Sequence, residues 1–352
     1  MVEEIKYWDN AATTQVDSRI IEIMLPYFDV FFGNPSSNHV YGKQAKNGID
    51  LARSQVSKII NCDPSEIYFT SGSTESINWA LKGYLEENPN KGNHIITVRT
   101  EHKAVLNTCD YLESKGYEVT YLSVNENGLI DLEELKNAIR ENTSMICVMY
   151  VNNEIGVIQD IQKIGEIARL KDITFFCDAT QAIGKIPVDV VKDNIDLLCF
   201  SAHKLYGPKG VGALFIRQGI KLEPLIHGGG QEKGLRGGTY NSPLIVGFGK
   251  ACELALNEFD LRKANIDQKR EQVFELFSTA NVTENFVNTP RVKNIISLTV
   301  NEGDADEFLM LHSKKIAAST GSACNSNIIE ISHVVQAVFP KSLQSKVVRI
   351  SI

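Results

Sequence analysis

A lysine that follows a short apolar run and precedes a glycine-rich turn is the first residue here that could do chemistry. Lys204 ends Asp196-Leu197-Leu198-Cys199-Phe200-Ser201-Ala202-His203-Lys204, ahead of Gly207-Pro208-Lys209-Gly210. Alone it reads as a solvated turn lysine. Upstream, the apolar run 173–177 ends in Asp178-Ala179-Thr180-Gln181, which sets a carboxylate at the tip of another strand of the same sheet. An amine and a carboxylate facing one pocket are what pyridoxal phosphate (PLP) requires. The amine forms the Schiff base, and the carboxylate keeps the pyridine nitrogen protonated so that the ring can accept electrons. Gln181 is placed to bond the ring hydroxyl. Asp178 by itself also reads as the N-cap of a helix starting at Ala179, a reading that leaves Lys204 and Gln181 unexplained.

Three further groups would complete such a site. Thr70-Ser71-Gly72-Ser73-Thr74-Glu75-Ser76 follows an apolar run and opens a helix, so that its N–H groups and the hydroxyls of Ser73 and Thr74 form an anion cradle fit for a phosphate. Ser201 adds a hydroxyl to it, and His203 an imidazole beside the ring. His102, in Arg99-Thr100-Glu101-His102-Lys103, is placed to stack on the ring and move protons. Taken singly, serine and threonine are common helix caps and a histidine is usually a surface or satisfied core residue. Their convergence on Lys204 and Asp178 gives them a chemical reading.

Positions like these have to be held by a sheet. From about residue 50, amphipathic stretches alternate with short apolar runs at 67–70, 94–97, 118–122, 144–150, 173–177, 197–200 and 212–216. That is the pattern of a mainly parallel sheet with helices on its faces. The expected fold class is α/β: a large domain with a mainly parallel seven-stranded sheet, then a smaller α/β domain. Between 251 and 277 the pattern becomes one or two long charged helices, followed by short strands such as 294–300, which sets the boundary near residue 255. A chain of 352 residues is also too long for one core of ordinary size. Hydrophobic residues make up 43% and charged residues 22%, and the net charge of −7 is spread without long runs. This is a globular balance that advertises neither a nucleic-acid groove nor a membrane surface. With no apolar leader before Asp9 and no bilayer-length stretch, a cytosolic protein is expected. Seven cysteines without a Cys-x-x-Cys pair argue against a disulfide framework or a zinc knuckle, and no metal site is expected. Cys147, Cys177, Cys199 and Cys252 sit in apolar runs and read as core residues, whereas Cys324 stands in a small polar loop.

The order of these motifs resembles the class V aminotransferase group of fold-type I PLP enzymes. Within it, Ala318-Ser319-Thr320-Gly321-Ser322-Ala323-Cys324-Asn325-Ser326 makes the chain similar to the cysteine desulfurases of the bacterial housekeeping and nitrogen-fixation type. The likeness runs from Tyr7 to Arg349 and includes Asp9-Asn10-Ala11-Ala12-Thr13-Thr14, Gly33-Asn34-Pro35-Ser36-Ser37, Val151-Asn152-Asn153-Glu154-Ile155-Gly156 and His227-Gly228-Gly229-Gly230-Gln231-Glu232. The resemblance implies a homodimer whose active sites are each completed by the other subunit. It assigns residues 14–255 to the PLP-binding domain, and 1–13 with 256–352 to a small domain carrying the cysteine loop. Thr239, in Gly234-Leu235-Arg236-Gly237-Gly238-Thr239, would give its hydroxyl to the partner's PLP phosphate. Asn153 and Arg349 would hold the carboxylate of L-cysteine, with Asn34 in the same substrate-binding set. Cys324 would take the substrate sulfur as a persulfide, leave L-alanine, and pass the sulfur to an acceptor protein for iron–sulfur cluster assembly, tRNA thiolation or DNA sulfur modification. Family members usually continue well beyond the position of Arg349, whereas this sequence stops at Ile352. That departure leaves docking of the usual iron–sulfur scaffold open and points as well to a specialised sulfur donor for tRNA thiolation or DNA sulfur modification. Selenocysteine lysis and transamination on the same scaffold stay open as alternatives, with Cys324 arguing against transamination.

Overall fold

The computed structural model describes residues 5–320 and 331–352. Seven strands form its main sheet, in the order Ile67–Thr70, Gly212–Ile216, Leu197–Ser201, Thr174–Asp178, Thr143–Cys147, His94–Val98, Glu118–Leu122. Only Gly212–Ile216 runs against the others. The fold is thus the expected α/β one. Its inner strands read as unbroken apolar runs because both of their faces are covered. Alternate residues separate cleanly: Ile96, Ile146, Phe175, Cys177, Leu198 and Phe200 belong to one core. Ile95, Met145, Cys147, Phe176, Leu197 and Cys199 belong to the other. Helices Val40–Lys58, Ile161–Leu170 and Ser242–Asn257 supply the first core, while the helical stretch opening at Ser73 and the helix Lys103–Glu113 supply the second. The four cysteines read as core residues, Cys147, Cys177, Cys199 and Cys252, are all buried.

Two boundaries differ from the sequence pattern. The run 144–150 leaves the regular ladder at Cys147, although Val148 N still donates to Phe176 O at 3.1 Å and Tyr150 N to Asp178 O at 2.9 Å. The neighbouring strand ends at Asp178, so Tyr150 makes the last of these bonds to it. The charged helical region begins earlier, at Ser242, with Asn241 accepting from Leu244 N and a proline in the first turn. Its first helix is apolar and packs on Val40–Lys58; the second, Phe259–Leu276, carries the charges.

A second, four-stranded antiparallel sheet runs Ser319–Thr320, Val347–Ser351, Ile295–Val300, Val282–Glu284. The N-terminal strand Lys6–Tyr7 pairs in parallel with Ile316–Ala317, and Asp9 bridges to Ser351. Residues 6–11 are therefore fixed to the C-terminal part of the chain before they turn toward the main sheet. Among the described residues no helix is long and apolar enough to cross a membrane.

The antiparallel strand enters the sheet at Gly212, where a Cβ would lie 2.7 Å from Gly72 Cα and 2.8 Å from Phe200 O. Both are backbone atoms that cannot swing aside. Gly212→Ala is expected to destabilise the fold by about 1–3 kcal/mol, the usual cost of overpacking. An unchanged urea midpoint would contradict this close approach.

Candidate active site

Parallel strands deliver their carboxyl ends to one edge of a sheet, and a ligand crevice opens there. In this protein that edge holds a cavity of about 670 Å³. Of the residues singled out from the sequence, Ser73, Thr74, His102, Asn153, Asp178, Gln181, Ser201, His203, Lys204 and Arg349 line it.

Lys204 closes a short 3₁₀ turn, Ala202–Lys204, directly after the strand Leu197–Ser201. The turn is pinned two residues on, where Tyr206 takes a left-handed φ of 63°. Its N–H donates to Thr14 Oγ1 at 2.8 Å and its carbonyl accepts from Asp17 N at 2.9 Å. A non-glycine residue holds such a conformation only where its surroundings over-determine it. The Lys204 amine donates to Ala11 O at 2.5 Å and Ala12 O at 2.6 Å. Burial, and then the Arg349 charge, push its pKa down to about 8, against the opposing pull of Asp178 and Asp9.

Asp178, 5% exposed, ends its strand with Oδ1 accepting from Thr180 N at 2.9 Å and from the Cys199 thiol at 3.6 Å. It caps a turn and no helix starts at Ala179, so the N-cap reading does not hold, while Asp178 does line the cavity. Gln181 donates from Nε2 to Ala11 O at 2.9 Å and accepts from the Lys185 amine, so both ends of its amide are engaged. At the cradle, Ser73 Oγ lies 2.7 Å from Thr180 Oγ1, and the Ser201 hydroxyl donates to Val211 O at 3.3 Å.

The two histidines are held neutral. His102 Nδ1 accepts from Ala104 N at 3.1 Å as the cap of helix Lys103–Glu113, which leaves the ring proton on Nε2. Its ring opens onto the cavity, and loss of water around it lowers its pKa. His203 shares a 3.2 Å hydrogen bond with Thr13 Oγ1, and burial pushes its pKa down to about 4.

Arg349, on the strand Val347–Ser351, donates from Nη2 to Asp9 Oδ1 at 2.7 Å and from Nη1 to Asn153 O at 3.2 Å. Thr239 and Asn34 are exposed and lie outside this cavity, and Cys324 falls outside the described residues.

The set fits PLP. A lysine amine with a lowered pKa, a buried carboxylate, and a helix start with hydroxyls are gathered in one space, and Lys204, Asp178, Ser73, Thr74 and Ser201 are the residues that could hold the group.

Sequence reasoning passed over three acids. Glu101 is fully buried, accepting from Met149 N at 2.7 Å, and burial together with the Asp178 charge raises its pKa. In the string it is one charge in a polar turn, and nothing marks it as internal. Glu75 accepts from Ser71 N at 2.8 Å and pairs with Arg236 at 2.8 Å, placing a neutralised carboxylate beside the cradle. Asp9 stands in a motif the sequence did expose, but its partner Arg349 lies at the other end of the chain.

The aminotransferase class-V family model matches residues 6–352. A cysteine desulfurase IscS of Methanosarcina thermophila is 49% identical over 333 residues, covering 94% of this chain and 82% of that protein. A solved NifS-like protein superposes with a TM-score of 0.91 at 38% identity, over 99% of this chain and 94% of its own. SspA in complex with cysteine does so with a TM-score of 0.89 at 39% identity, over 99% and 98%. With this agreement in sequence, fold and site, the chain belongs to the aminotransferase class-V family of PLP-dependent enzymes and, within it, to the cysteine desulfurases.

Proposed function

We propose that this cysteine desulfurase binds PLP on Lys204, draws sulfur from L-cysteine onto Cys324, and passes it to an acceptor protein in the cytoplasm. The observation that carries the reading is the meeting of the Lys204 amine, the Asp178 carboxylate and the Ser73–Thr74 cradle in one cavity. When bound, PLP supplies an electron sink for the bonds around the substrate's α-carbon.

The chain's own groups do the rest. Arg349 offers a planar pair of donors to the substrate carboxylate, with Asn153 beside it. The Lys204 amine, neutral above about pH 8, takes the proton at the substrate's Cα. His102 carries a proton on Nε2 facing the cavity and helps move it. The Cys324 thiolate attacks the substrate sulfur: an S–S bond forms, the C–S bond breaks, and protonation of the carbon fragment yields L-alanine. The proposed division assigns residues 14–255, with the lysine, to one unit and residues 1–13 and 256–352, with the cysteine, to another.

A homodimer is supported by the segment that runs from the second helix to the start of the third. Phe28, Phe32 and Val40 are 64%, 63% and 61% exposed in the single chain, an apolar expanse that a monomer seldom leaves uncovered. Thr239, exposed and outside its own cavity, is free to serve the partner's phosphate, and Asn34 lies in the same outward segment as Phe32. The acceptor is proposed by class only: a protein serving iron–sulfur assembly, tRNA thiolation or DNA sulfur modification.

Cys324→Ser should retain PLP, seen by its absorbance, while losing both L-alanine release and protein-bound persulfide. Continued desulfuration by the variant would sink the assignment. A second expectation concerns the cofactor-free protein. Burial makes the folded chain hold the Lys204 proton less tightly than the unfolded chain, whose lysines titrate near about 10.4. The resulting cost is present at neutral pH and fades as pH rises from about 8 toward the unfolded value. Lys204→Met should therefore raise the urea midpoint of the cofactor-free protein at pH 7 and raise it less at pH 10. An equal effect at both values would contradict the depressed amine.

A further inference from the structure

The guanidinium of Arg349 is used unevenly. Nη2 donates to Asp9 Oδ1 at 2.7 Å and Nη1 to Asn153 O at 3.2 Å. Nε is buried and finds no acceptor among the described residues. A carboxylate recognised in the usual way takes two parallel N–H donors of an arginine. Asp9 takes one, so the edge shared by Nε and Nη2 is a half-filled carboxylate seat. A buried donor left without an acceptor is costly, and a second oxygen would relieve it. The pair is well covered, with side chains 12% and 19% exposed, so solvent does not erase the competition between acids.

Asp9 is otherwise held by its backbone alone. It bridges to Ser351, and its carbonyl accepts from Tyr7 Oη at 3.2 Å and Ala12 N at 3.0 Å. Among the described residues its side chain makes no hydrogen bond beyond the ion pair with Arg349. We propose that Asp9 is a specificity-determining placeholder: its carboxylate occupies Arg349 in the resting enzyme and is displaced by the α-carboxylate of the substrate. Entry of a carboxylate exchanges one ion pair for a two-point one, whereas an amine thiol without a carboxylate leaves Asp9 in place and gains nothing. Asp9 thereby sets how strongly a carboxylate must bind to be accepted.

This rests on the reading of Arg349 as the carboxylate residue, and the test separates the two. In the PLP-loaded enzyme, Asp9→Asn keeps a hydrogen-bond acceptor but removes the competing charge. The KM for L-cysteine should fall by roughly threefold or more, because a competitor for the binding-competent state has been weakened. The inhibition constant of cysteamine, which lacks the carboxylate, should stay unchanged. A residue that merely braced the fold would raise KM or shift both ligands together, and either result overturns the proposal, as does an unchanged KM. Asp9→Ser carries the same expectation if the asparagine variant does not fold. Arg349→Gln is the control. If it leaves the KM for L-cysteine untouched, the carboxylate reading itself fails. If it raises that KM while neither Asp9 variant lowers it, only the placeholder role fails.

Discussion

Keeping a lysine amine in a dry crevice is the constraint around which this structure is arranged. Lys204 has lost enough water for its pKa to sit near about 8, yet it still needs acceptors. They come from the backbone carbonyls of Ala11 and Ala12, a segment that belongs to neither neighbouring strand. The same segment receives Gln181 through Ala11 O and meets His203 through Thr13. One short segment thus serves three polar side chains, two through main-chain carbonyls and one through the Thr13 hydroxyl, without bringing a fixed charge of its own against the amine. The carboxylates that do influence it, Asp178 and Asp9, are each tied to another partner.

The sheet makes this economical. Because six strands run one way, Thr70, Val98, Cys147, Asp178 and Ser201 all end at the same edge, and the residues after them share the cavity without any long excursion. The reversed strand does not spoil the pattern. It begins where the others end, and its Gly212 permits the cradle backbone at Gly72 to lie against it.

Much of this was legible because central parallel strands are written as unbroken apolar runs. Leu197–Ser201 and Thr174–Asp178 announce both their burial and the position at which a polar residue must surface. Lys204, Asp178 and His102 could therefore be placed before any coordinates. The residues missed are those whose role depends on a partner distant in sequence. Glu101 looks like its exposed neighbour Lys103, and only the packing of Met149 N against it shows that it is internal. Asp9 meets Arg349 across |i−j| = 340, and no periodicity encodes such a pairing.

The pairing of Trp8 and Ala11 with Ser351 has a consequence for synthesis. Ala11 N donates to Ser351 Oγ at 2.9 Å, a contact with |i−j| = 340, and Ser351 N donates to Trp8 O at 2.8 Å. Strands and helices of the main sheet have their partners as soon as residue 257 is made, but the segment that receives the Lys204 amine does not. During translation the core can form domain-first, while the crevice stays open on one side until Val347–Ser351 emerges. A nascent chain at that stage would carry a built sheet and an unfinished lysine site.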